Sequence, residues 1–429
     1  DAALVDAMVA SVRSRFPEAQ FIFTSPNPES DAAHFGGTFV RKLAPRRMGT
    51  RAIHSRLLQR LAKLLRVGSF APLLTAAQTR LFVTSLRVRI FVAARLHQRI
   101  NLLMPSRLKA TIDALDWADL VLGAPGGYIG APSLEHDYWM QNIPVLRIAR
   151  ALNLPRVIYP NSYGPFPSEV HNSMARYAFR DVECMMVREE ASVRRLRDLG
   201  VEPSRMHLVP DSVFLFDEVD YASPAVRRAL ERVSSSDRPV LGVAARWGGL
   251  PGSVSEKADR ERDARTMAAA LDQVLNRLGG TIVFAPQVSQ DSEMTAAVYR
   301  HMRHADRASI EPEGMTHSEL VAFYRELDLV IAGRLHAGIL AMLAGTPVVA
   351  IAHEVKVVGI FKLLGQPSLV VRPDRVKEEL PRVVADVYGR RQEVREALVP
   401  QLREAALKSA TSADLLADVL KTARQTMQA

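Results

Sequence analysis

Short apolar runs alternate with longer amphipathic stretches along most of the chain. The first stretch has apolar residues at helical spacing over 3–16, and Asp1 fits the N-cap of that helix. A strand should precede such a helix in an α/β unit, so we expect a strand and a turn upstream of Asp1. Further strands are predicted over 20–24, 120–122, 156–159, 184–187 and 207–209, and helices over 140–152, 174–179 and 191–199. This alternation predicts a parallel, doubly wound sheet.

A second series of the same kind begins at residue 240. Its strands are predicted over 240–244, 281–285, 329–332 and 347–351, and its helices over 263–278, 292–304, 318–326 and 337–344. The expected fold class is therefore α/β, with two doubly wound Rossmann-like domains facing a cleft, as in GT-B proteins.

The polar stretch 219–238 divides the two series and is predicted to be a linker. The first domain is expected over 1–218, with a basic helical insertion at about 40–110, and the second over 239–410. An amphipathic helix over 413–427, with Ser412 as its N-cap, is predicted in a C-terminal segment 411–429 that packs back on the first domain.

Composition narrows the class of protein. Hydrophobic residues make up 48% of the 429 residues and charged residues 24%, as in an ordinary globular protein. The single cysteine, Cys184, excludes a disulfide framework and a multi-cysteine metal site, and it fits a reducing, cytoplasmic compartment. No uncharged apolar run of about 18 residues occurs, and no signal-peptide pattern opens the sequence. No metal site is predicted, since His301 and His304 have no third ligand at a suitable spacing.

The net charge of +10 is concentrated in one region. Between residues 32 and 112 there is no Asp or Glu, while sixteen Lys and Arg occur there, so the rest of the chain is acidic. This pattern favours a local anionic partner and argues against a nucleic-acid-binding protein. Leucines at 57, 58, 61, 64 and 65 share one helical face, and a second helix carries the arginines 80, 87, 95 and 99 beside apolar residues at 81, 88, 91, 92 and 103.

This basic region has three interpretations. In the first, it is an insertion whose leucines pack on the sheet and whose arginines face solvent. In the second, it binds peripherally to an anionic membrane surface at the inner face of the cell membrane. In the third, it binds an anionic acceptor.

Glycine-rich and polar loops follow several of the predicted strands. The loop 123–130 contains Gly126, Gly127 and Tyr128, and the loop 159–166 contains Ser162. Glycines at the carboxyl end of a strand let backbone N–H groups approach a ligand, although a tight turn without a ligand explains them as well. The sequence Arg188-Glu189-Glu190-Ala191-Ser192, followed by Pro210-Asp211, is more typical of structure than of catalysis.

The strongest motif is Gly333-Arg334-Leu335-His336, which joins a strand to a helix. Helix N-termini favour anions, and arginine adds a bidentate donor for carboxylate or phosphate. Arg246 follows the first strand of the second series in the matching position, and Lys356 lies beyond the strand 347–351.

In this order, the motifs resemble those of the polysaccharide pyruvyltransferase family. The resemblance rests on Ser162 to Phe166, Arg188 to Ser192, Pro210-Asp211, and Arg334 through 344–350 to Gly359. It covers nearly the whole chain outside the basic region. The chain departs from the family pattern in the glycine loop, whose nearest acids are Glu135 and Asp137, and at His353 and Glu354, where an aromatic residue often precedes the lysine.

The resemblance implies transfer of a pyruvyl group from phosphoenolpyruvate to two hydroxyls of a sugar, free or lipid-linked, giving a cyclic ketal and phosphate without a cofactor. Its implied donor-binding residues are Arg246, Arg334 and Lys356. His336 is the expected general acid, and Asp137 or Glu135 the expected base. Gly126, Gly127, Tyr128 and Ser162 are expected to bind the acceptor.

Two other functions stay open. A GT-B glycosyltransferase using a nucleotide sugar fits 344–350, but Ala332 and Leu340 stand where retaining enzymes have glutamates, and no Asp-x-Asp motif occurs. A non-catalytic sugar- or membrane-binding protein would not need the Arg-x-His pair.

Overall fold

The computed structural model describes residues 2–44, 71–96, 99–131, 133–134, 136–246 and 257–428. The chain divides into two compact units. We call residues 8–211 and 410–429 the N-terminal unit, and residues 1–7 and 212–409 the C-terminal unit. The leucines of the predicted first basic helix, at 57–65, lie outside the described residues.

The N-terminal unit is an α/β unit with two parallel sheets. Its elements, of which α1 begins in the C-terminal unit, are α1 (Ala2–Arg15), β1 (Ile22–Ser25), α2 (Pro28–Phe35), β2 (Thr38–Arg41), α3 (Ala71–Arg95), α4 (Lys109–Trp117), β3 (Val121–Gly123), β4 (Gly126–Ile129), α5 (Ile143–Ala151), β5 (Arg156–Tyr163), α6 (Glu169–Phe179), β6 (Cys184–Val187), α7 (Glu190–Asp198) and β7 (Met206–Leu208). Strand β5 pairs with β3 and β4 on one side and with β6 on the other, and β7 follows β6. All eight residues of β5 are buried, as expected for a strand covered on both faces.

The C-terminal unit has one parallel sheet of six strands. Its elements are α8 (Pro224–Ser234), β8 (Val240–Ala244), α9 (Lys257–Leu278), β9 (Thr281–Phe284), α10 (Ser289–His301), β10 (Ala308–Ile310), α11 (His317–Arg325), β11 (Leu329–Ala332), α12 (Leu335–Leu343), β12 (Val348–Ile351), α13 (Val355–Leu363), β13 (Val370–Val371), α14 (Val376–Gly389) and α15 (Arg391–Gln428), which ends in the N-terminal unit. The strand order β10-β9-β8-β11-β12-β13 is that of a Rossmann fold. The predicted α/β class with doubly wound parallel sheets is therefore confirmed.

The predicted linker over 219–238 is wrong for much of its length. Helix α8 occupies it, with Ser223 accepting a hydrogen bond from the Ala225 N–H at its start. The inner face of this helix is apolar and buried, with Val226, Ala229 and Val233. The charged residues between them occupy the outer face. The polar composition of this segment therefore reflects a half-exposed helix.

The predicted start of the last helix is also wrong. Ser412 lies buried inside α15, which runs without interruption from Arg391. Apolar residues at helical spacing continue through Val394, Leu398 and Ala405, so the helical pattern begins far before Ser412. Residues 410–429 of this helix cluster with the N-terminal unit, where Asp414 lies 3.6 Å from Arg15.

The strand predicted over 20–24 is present as β1. Among the described residues it pairs with β2 alone, in a small separate sheet. None of the helices in the described ranges has the length and apolarity to cross a bilayer.

Candidate active site

The six-stranded sheet of the C-terminal unit reverses its winding direction between β8 and β11. Ligands of open α/β sheets bind at the carboxyl ends of the strands at such a reversal. Arg246 follows β8, Arg334 follows β11, and Lys356 follows β12, the next strand. The fold thus brings the three predicted donor-binding residues to one edge of one sheet.

Gly333 holds the ends of β8 and β11 close together. Its N–H donates to the Ala244 carbonyl at 2.9 Å. A Cβ at this position would lie 2.8 Å from that carbonyl oxygen and 3.2 Å from the Arg246 nitrogen, which is closer than side chains tolerate. The glycine in Gly-Arg-Leu-His is therefore required by this close approach, and it places the backbones of Arg246 and Arg334 side by side.

Arg246 and Lys356 share one carboxylate. The Glu354 Oε1 lies 2.5 Å from the Arg246 Nη1, and its Oε2 lies 2.8 Å from the Lys356 Nζ. Burial disfavours ionisation of Glu354, but Lys356 and Arg246 outweigh it and lower the pKa of the carboxyl to about 2. Glu354 is consequently an anion at neutral pH and holds the two cations on either side of it.

Arg334 is oriented by a second acid. Its Nε and Nη2 donate to the two carboxylate oxygens of Asp291 at 2.6 and 2.7 Å. Asp291 is buried in the first turn of α10, the helix that follows β9. This bidentate geometry fixes the plane of the guanidinium and leaves its other donors for a ligand.

Three histidines lie at the same edge: His317 begins α11, His336 is in the first turn of α12, and His353 follows β12. Burial and the neighbouring His336 lower the pKa of His317 to about 4, and burial and the Arg246 charge lower the pKa of His353 to about 4. Both of these rings are therefore neutral at pH 7. Within the described residues, neither ring nitrogen of His353 has a hydrogen-bond partner, although both atoms are buried.

The predicted acceptor residue Ser162 lies in a buried network of the N-terminal unit. Its hydroxyl donates to Glu189 Oε2 at 2.9 Å and accepts from Arg188 Nη2 at 2.8 Å. Arg188 also forms a salt bridge with Asp211, and both side chains are almost fully buried. Glu189 accepts a further hydrogen bond from Ser192. The network joins the ends of β5, β6 and β7 through residues of three separate motifs, so a structural role explains them.

The other predicted residues of this unit are spread around β4. Gly126 begins β4, Gly127 is exposed, and the Tyr128 hydroxyl donates to the Ala124 carbonyl. Burial raises the pKa of Tyr128 to about 12. Asp137, just before a short 3₁₀ helix, accepts a hydrogen bond from Thr75 of α3. Glu135 lies outside the described residues.

Sequence reasoning missed Asp291 and His317. Each lies at the start of a helix that follows a strand of the same sheet, and this position is the only signal that was available for them. In the described part of the chain, no group of three side chains suited to a metal ion occurs.

Comparison with known proteins decides the family. The model of the family described as polysaccharide pyruvyl transferase matches residues 1–355. The chain belongs to this family. It is also 23% identical over 283 residues to the amylovoran biosynthesis protein AmsJ of Erwinia amylovora, an alignment that covers 63% of this chain and 65% of AmsJ. The match thus spans less than two thirds of that relative.

Solved structures show the fold of this family member. A glycosyltransferase from Rickettsia africae superposes with a TM-score of 0.52 at 8% identity, covering 98% of this chain and 93% of that one. A protein described as a putative UDP-N-acetylglucosamine 2-epimerase, from Listeria monocytogenes, gives a TM-score of 0.51 at 10% identity, with 96% and 91% coverage. The predicted GT-B-like fold is confirmed.

Proposed function

We propose that this protein transfers the pyruvyl group of phosphoenolpyruvate to two hydroxyls of one sugar in a glycan or glycolipid. The products are a cyclic pyruvate ketal and phosphate, and no cofactor takes part. The main support is the group of three cations and neighbouring imidazoles at the reversal point of the C-terminal sheet, in a chain of the pyruvyl transferase family. We assign the reaction to the cytoplasm, where phosphoenolpyruvate is made.

The charges suit a small ligand with two anionic groups. Arg246, Lys356 and Arg334 supply three positive charges, and Glu354 and Asp291 supply two negative ones, so the five side chains carry a net charge of +1. Phosphoenolpyruvate brings a phosphate and a carboxylate, each suited to a guanidinium or ammonium donor. In this proposal the carboxylates hold the cations in place, and the ligand replaces Glu354 as their partner.

Two of the imidazoles near the site, those of His317 and His353, are neutral before the donor binds. An anion placed beside a neutral histidine favours its protonated form and raises its pKa. In our proposal His336, in its protonated form, delivers a proton to C3 of the donor as a general acid. His353, beside Arg246, is the alternative donor of this proton.

Protonation of C3 leaves positive charge at C2, which a sugar hydroxyl attacks while losing its proton to a base. The second hydroxyl then adds at C2 as the C2–O bond to phosphate breaks. Phosphate leaves with the bonding electrons and takes up the proton of this second hydroxyl. One molecule of donor and one diol thus give one ketal and one phosphate. Asp137 and Glu135 remain the predicted bases, and Gly126, Gly127 and Tyr128 the predicted acceptor contacts. The hydroxyl of Ser162, which was also a predicted acceptor contact, is engaged by Arg188 and Glu189.

The donor proposal is tested by calorimetric titration of phosphoenolpyruvate into wild-type protein and Arg246→Ala. We expect affinity to fall about a hundredfold or more, because a charge-assisted contact to a desolvated anion contributes roughly 3 kcal/mol. Arg390→Ala is the control, since Arg390 forms an ion pair with Asp386 near the end of α14. Unchanged affinity in Arg246→Ala would remove this residue from the donor site.

Arg334 needs a milder substitution, because alanine would leave the buried Asp291 unpaired. Arg334→Lys keeps the charge but loses the bidentate contact to Asp291 at 2.6 and 2.7 Å. We expect weaker donor binding with a folded protein, checked by the same titration.

Turnover is tested by phosphate release from phosphoenolpyruvate with a panel of free and lipid-linked glycosides, and mass spectrometry of the product. His336→Asn should retain donor binding and lower turnover by roughly 10²–10⁴, as expected for a lost general acid. If His353→Asn causes this loss and His336→Asn does not, His353 is the acid. Glycosyl transfer from a nucleotide sugar without phosphoenolpyruvate consumption would instead establish the glycosyltransferase alternative.

A further inference from the structure

Helix α3 packs into the N-terminal unit along one face only. Seven residues of this face are buried: Pro72, Ala76, Thr79, Val83, Leu86, Ile90 and Ala93. Val83, Leu86 and Ile90 belong to a core that also includes Ile112 of α4 and Ile148 of α5. This packing fixes α3 on the body of the unit, so its opposite face is held outward.

The outward face of α3 is apolar as well. Leu81, Val88 and Val92 are 71%, 56% and 37% exposed. At about 100° per residue, the three side chains lie within roughly 40° of one another and directly opposite the buried face. Phe91 and Leu96 are exposed beside them, at 62% and 59%. A helix that buries one apolar face seldom presents a second one to water without a partner for it.

Arginines border this stripe on both sides. Arg80 and Arg87 lie along one flank, and Arg89 lies along the other, at roughly 80–120° from the centre of the stripe. Two of these side chains also contact the protein: Arg80 donates to the Ser173 hydroxyl at 2.9 Å, and Arg89 donates to the Leu103 carbonyl at 2.6 Å. Arg95 contacts the Phe91 ring, with 5.6 Å from its guanidinium carbon to the ring centroid. No Asp or Glu occurs between residues 32 and 112, so the helix itself carries no acid.

We propose that the outward face of α3 lies on an anionic bilayer surface. An apolar stripe bordered by arginines is the pattern of a helix lying in the plane of a membrane interface. The stripe would enter the acyl boundary, while the arginines beside it supply positive charge at the level of the lipid phosphates. The stripe from Leu81 to Val92 offers this contact over about 17 Å of the helix. The proposal does not depend on the reaction that the protein catalyses.

Co-sedimentation with lipid vesicles tests the proposal. The probes are vesicles of phosphatidylcholine alone and of phosphatidylcholine with about 30% phosphatidylglycerol, at about 0.05 and 0.5 M salt. We expect wild-type protein to sediment with the anionic vesicles at low salt, and to be released at high salt or with phosphatidylcholine alone.

Two variants separate the apolar and the charged contributions. The triple variant Leu81→Ser, Val88→Ser, Val92→Ser should bind at least tenfold more weakly, because each substitution removes exposed apolar area without disturbing the core. Arg87→Gln with Arg95→Gln should weaken binding about 30-fold, roughly fivefold for each arginine. The control is Val399→Ser with Leu407→Ser on α15, whose side chains are 61% and 67% exposed.

Several results would overturn the membrane contact. Wild-type protein that stays in the supernatant with anionic vesicles at low salt does so directly, as does equal sedimentation of the triple variant. Equal binding to both kinds of vesicle would rule out recognition of lipid charge. A dimer in analytical ultracentrifugation without lipid, converted to monomer by the triple variant, would assign the stripe to a second copy of the chain instead.

Discussion

In the Asp211→Ala variant, the N-terminal unit should unfold transiently far more often than in a variant that loses an exposed ion pair. The Asp211 carboxylate forms a salt bridge with Arg188, and both side chains are almost completely buried. Removing the acid takes away the carboxylate that contacts this buried guanidinium, which typically costs about 3–5 kcal/mol. Ser162 still accepts from Arg188, but a neutral hydroxyl cannot balance the charge.

The single cysteine provides an assay for this unit alone. Cys184 lies in β6, which pairs with β7. Asp211 follows the end of β7 after two residues. Burial raises the pKa of its thiol to about 12, so the folded protein should react slowly with a disulfide reagent. Labelling then reports transient opening of the N-terminal unit. A cost of 3–5 kcal/mol corresponds to labelling about 150- to 5,000-fold faster than in the wild type.

Two further variants make this measurement decisive. Asp211→Asn keeps the shape and one hydrogen bond but not the charge, so it should accelerate labelling less than alanine does. Glu169→Ala removes the partner of Arg176 in an exposed pair of the same unit, and it should change the rate by less than about fivefold. If Asp211→Ala labels no faster than Glu169→Ala, the buried pair does not stabilise the unit as argued.

Three further predictions concern the C-terminal unit. Glu354→Gln should bind inorganic phosphate about tenfold more tightly in calorimetric titration, because the substitution raises the net charge of the site. Turnover of this variant should fall. Weaker phosphate binding would contradict the prediction. Gly333→Ala should lower donor affinity and should also lower the free energy of unfolding by about 1–3 kcal/mol, since the alanine Cβ would displace the end of β8. A melting curve identical to that of the wild type would refute this prediction. His317 and His353 bind protons in the unfolded chain below pH 6.5 but in the folded unit only near pH 4, so stability should fall as the pH drops through this window. The melting temperature of His317→Gln with His353→Gln should depend less on pH there, and an unchanged pH profile would show that neither ring matters.

The elements that the sequence predicts best are those at the centre of the sheets. The bounds of β8 and β11 agree with prediction, because fully buried parallel strands are short apolar runs that end abruptly at polar residues. The same rule brings Arg246 and Arg334 together, since the carboxyl ends of parallel strands share one edge of a sheet. Strands β10 and β13 were not predicted, because edge strands of two or three residues give no periodic pattern.

The partners of the site residues were beyond sequence reasoning. Asp291 lies 43 positions from Arg334, and Glu354 lies 108 positions from Arg246, so no local spacing connects them. Ser162 shows the reverse case. Its position after a strand resembles that of a ligand contact, but the hydroxyl is engaged by Arg188 and Glu189, which are distant in sequence. Whether a polar side chain at a strand end faces a ligand or the interior depends on such distant partners.

The carboxylate of Glu354 between Arg246 and Lys356 has a consequence for selectivity among anions. A ligand that binds both cations must displace an acid that is already tethered beside them, so its effective concentration is high. Chloride and other singly charged ions gain too little from the exchange, whereas a ligand bearing both a phosphate and a carboxylate gains contacts to several cations at once. In the proposed reaction, the same acid would compete with the departing phosphate for the two cations and would shorten the residence of this product. One side chain would in this way limit binding to ligands that carry enough negative charge, and would favour release of phosphate after each turnover.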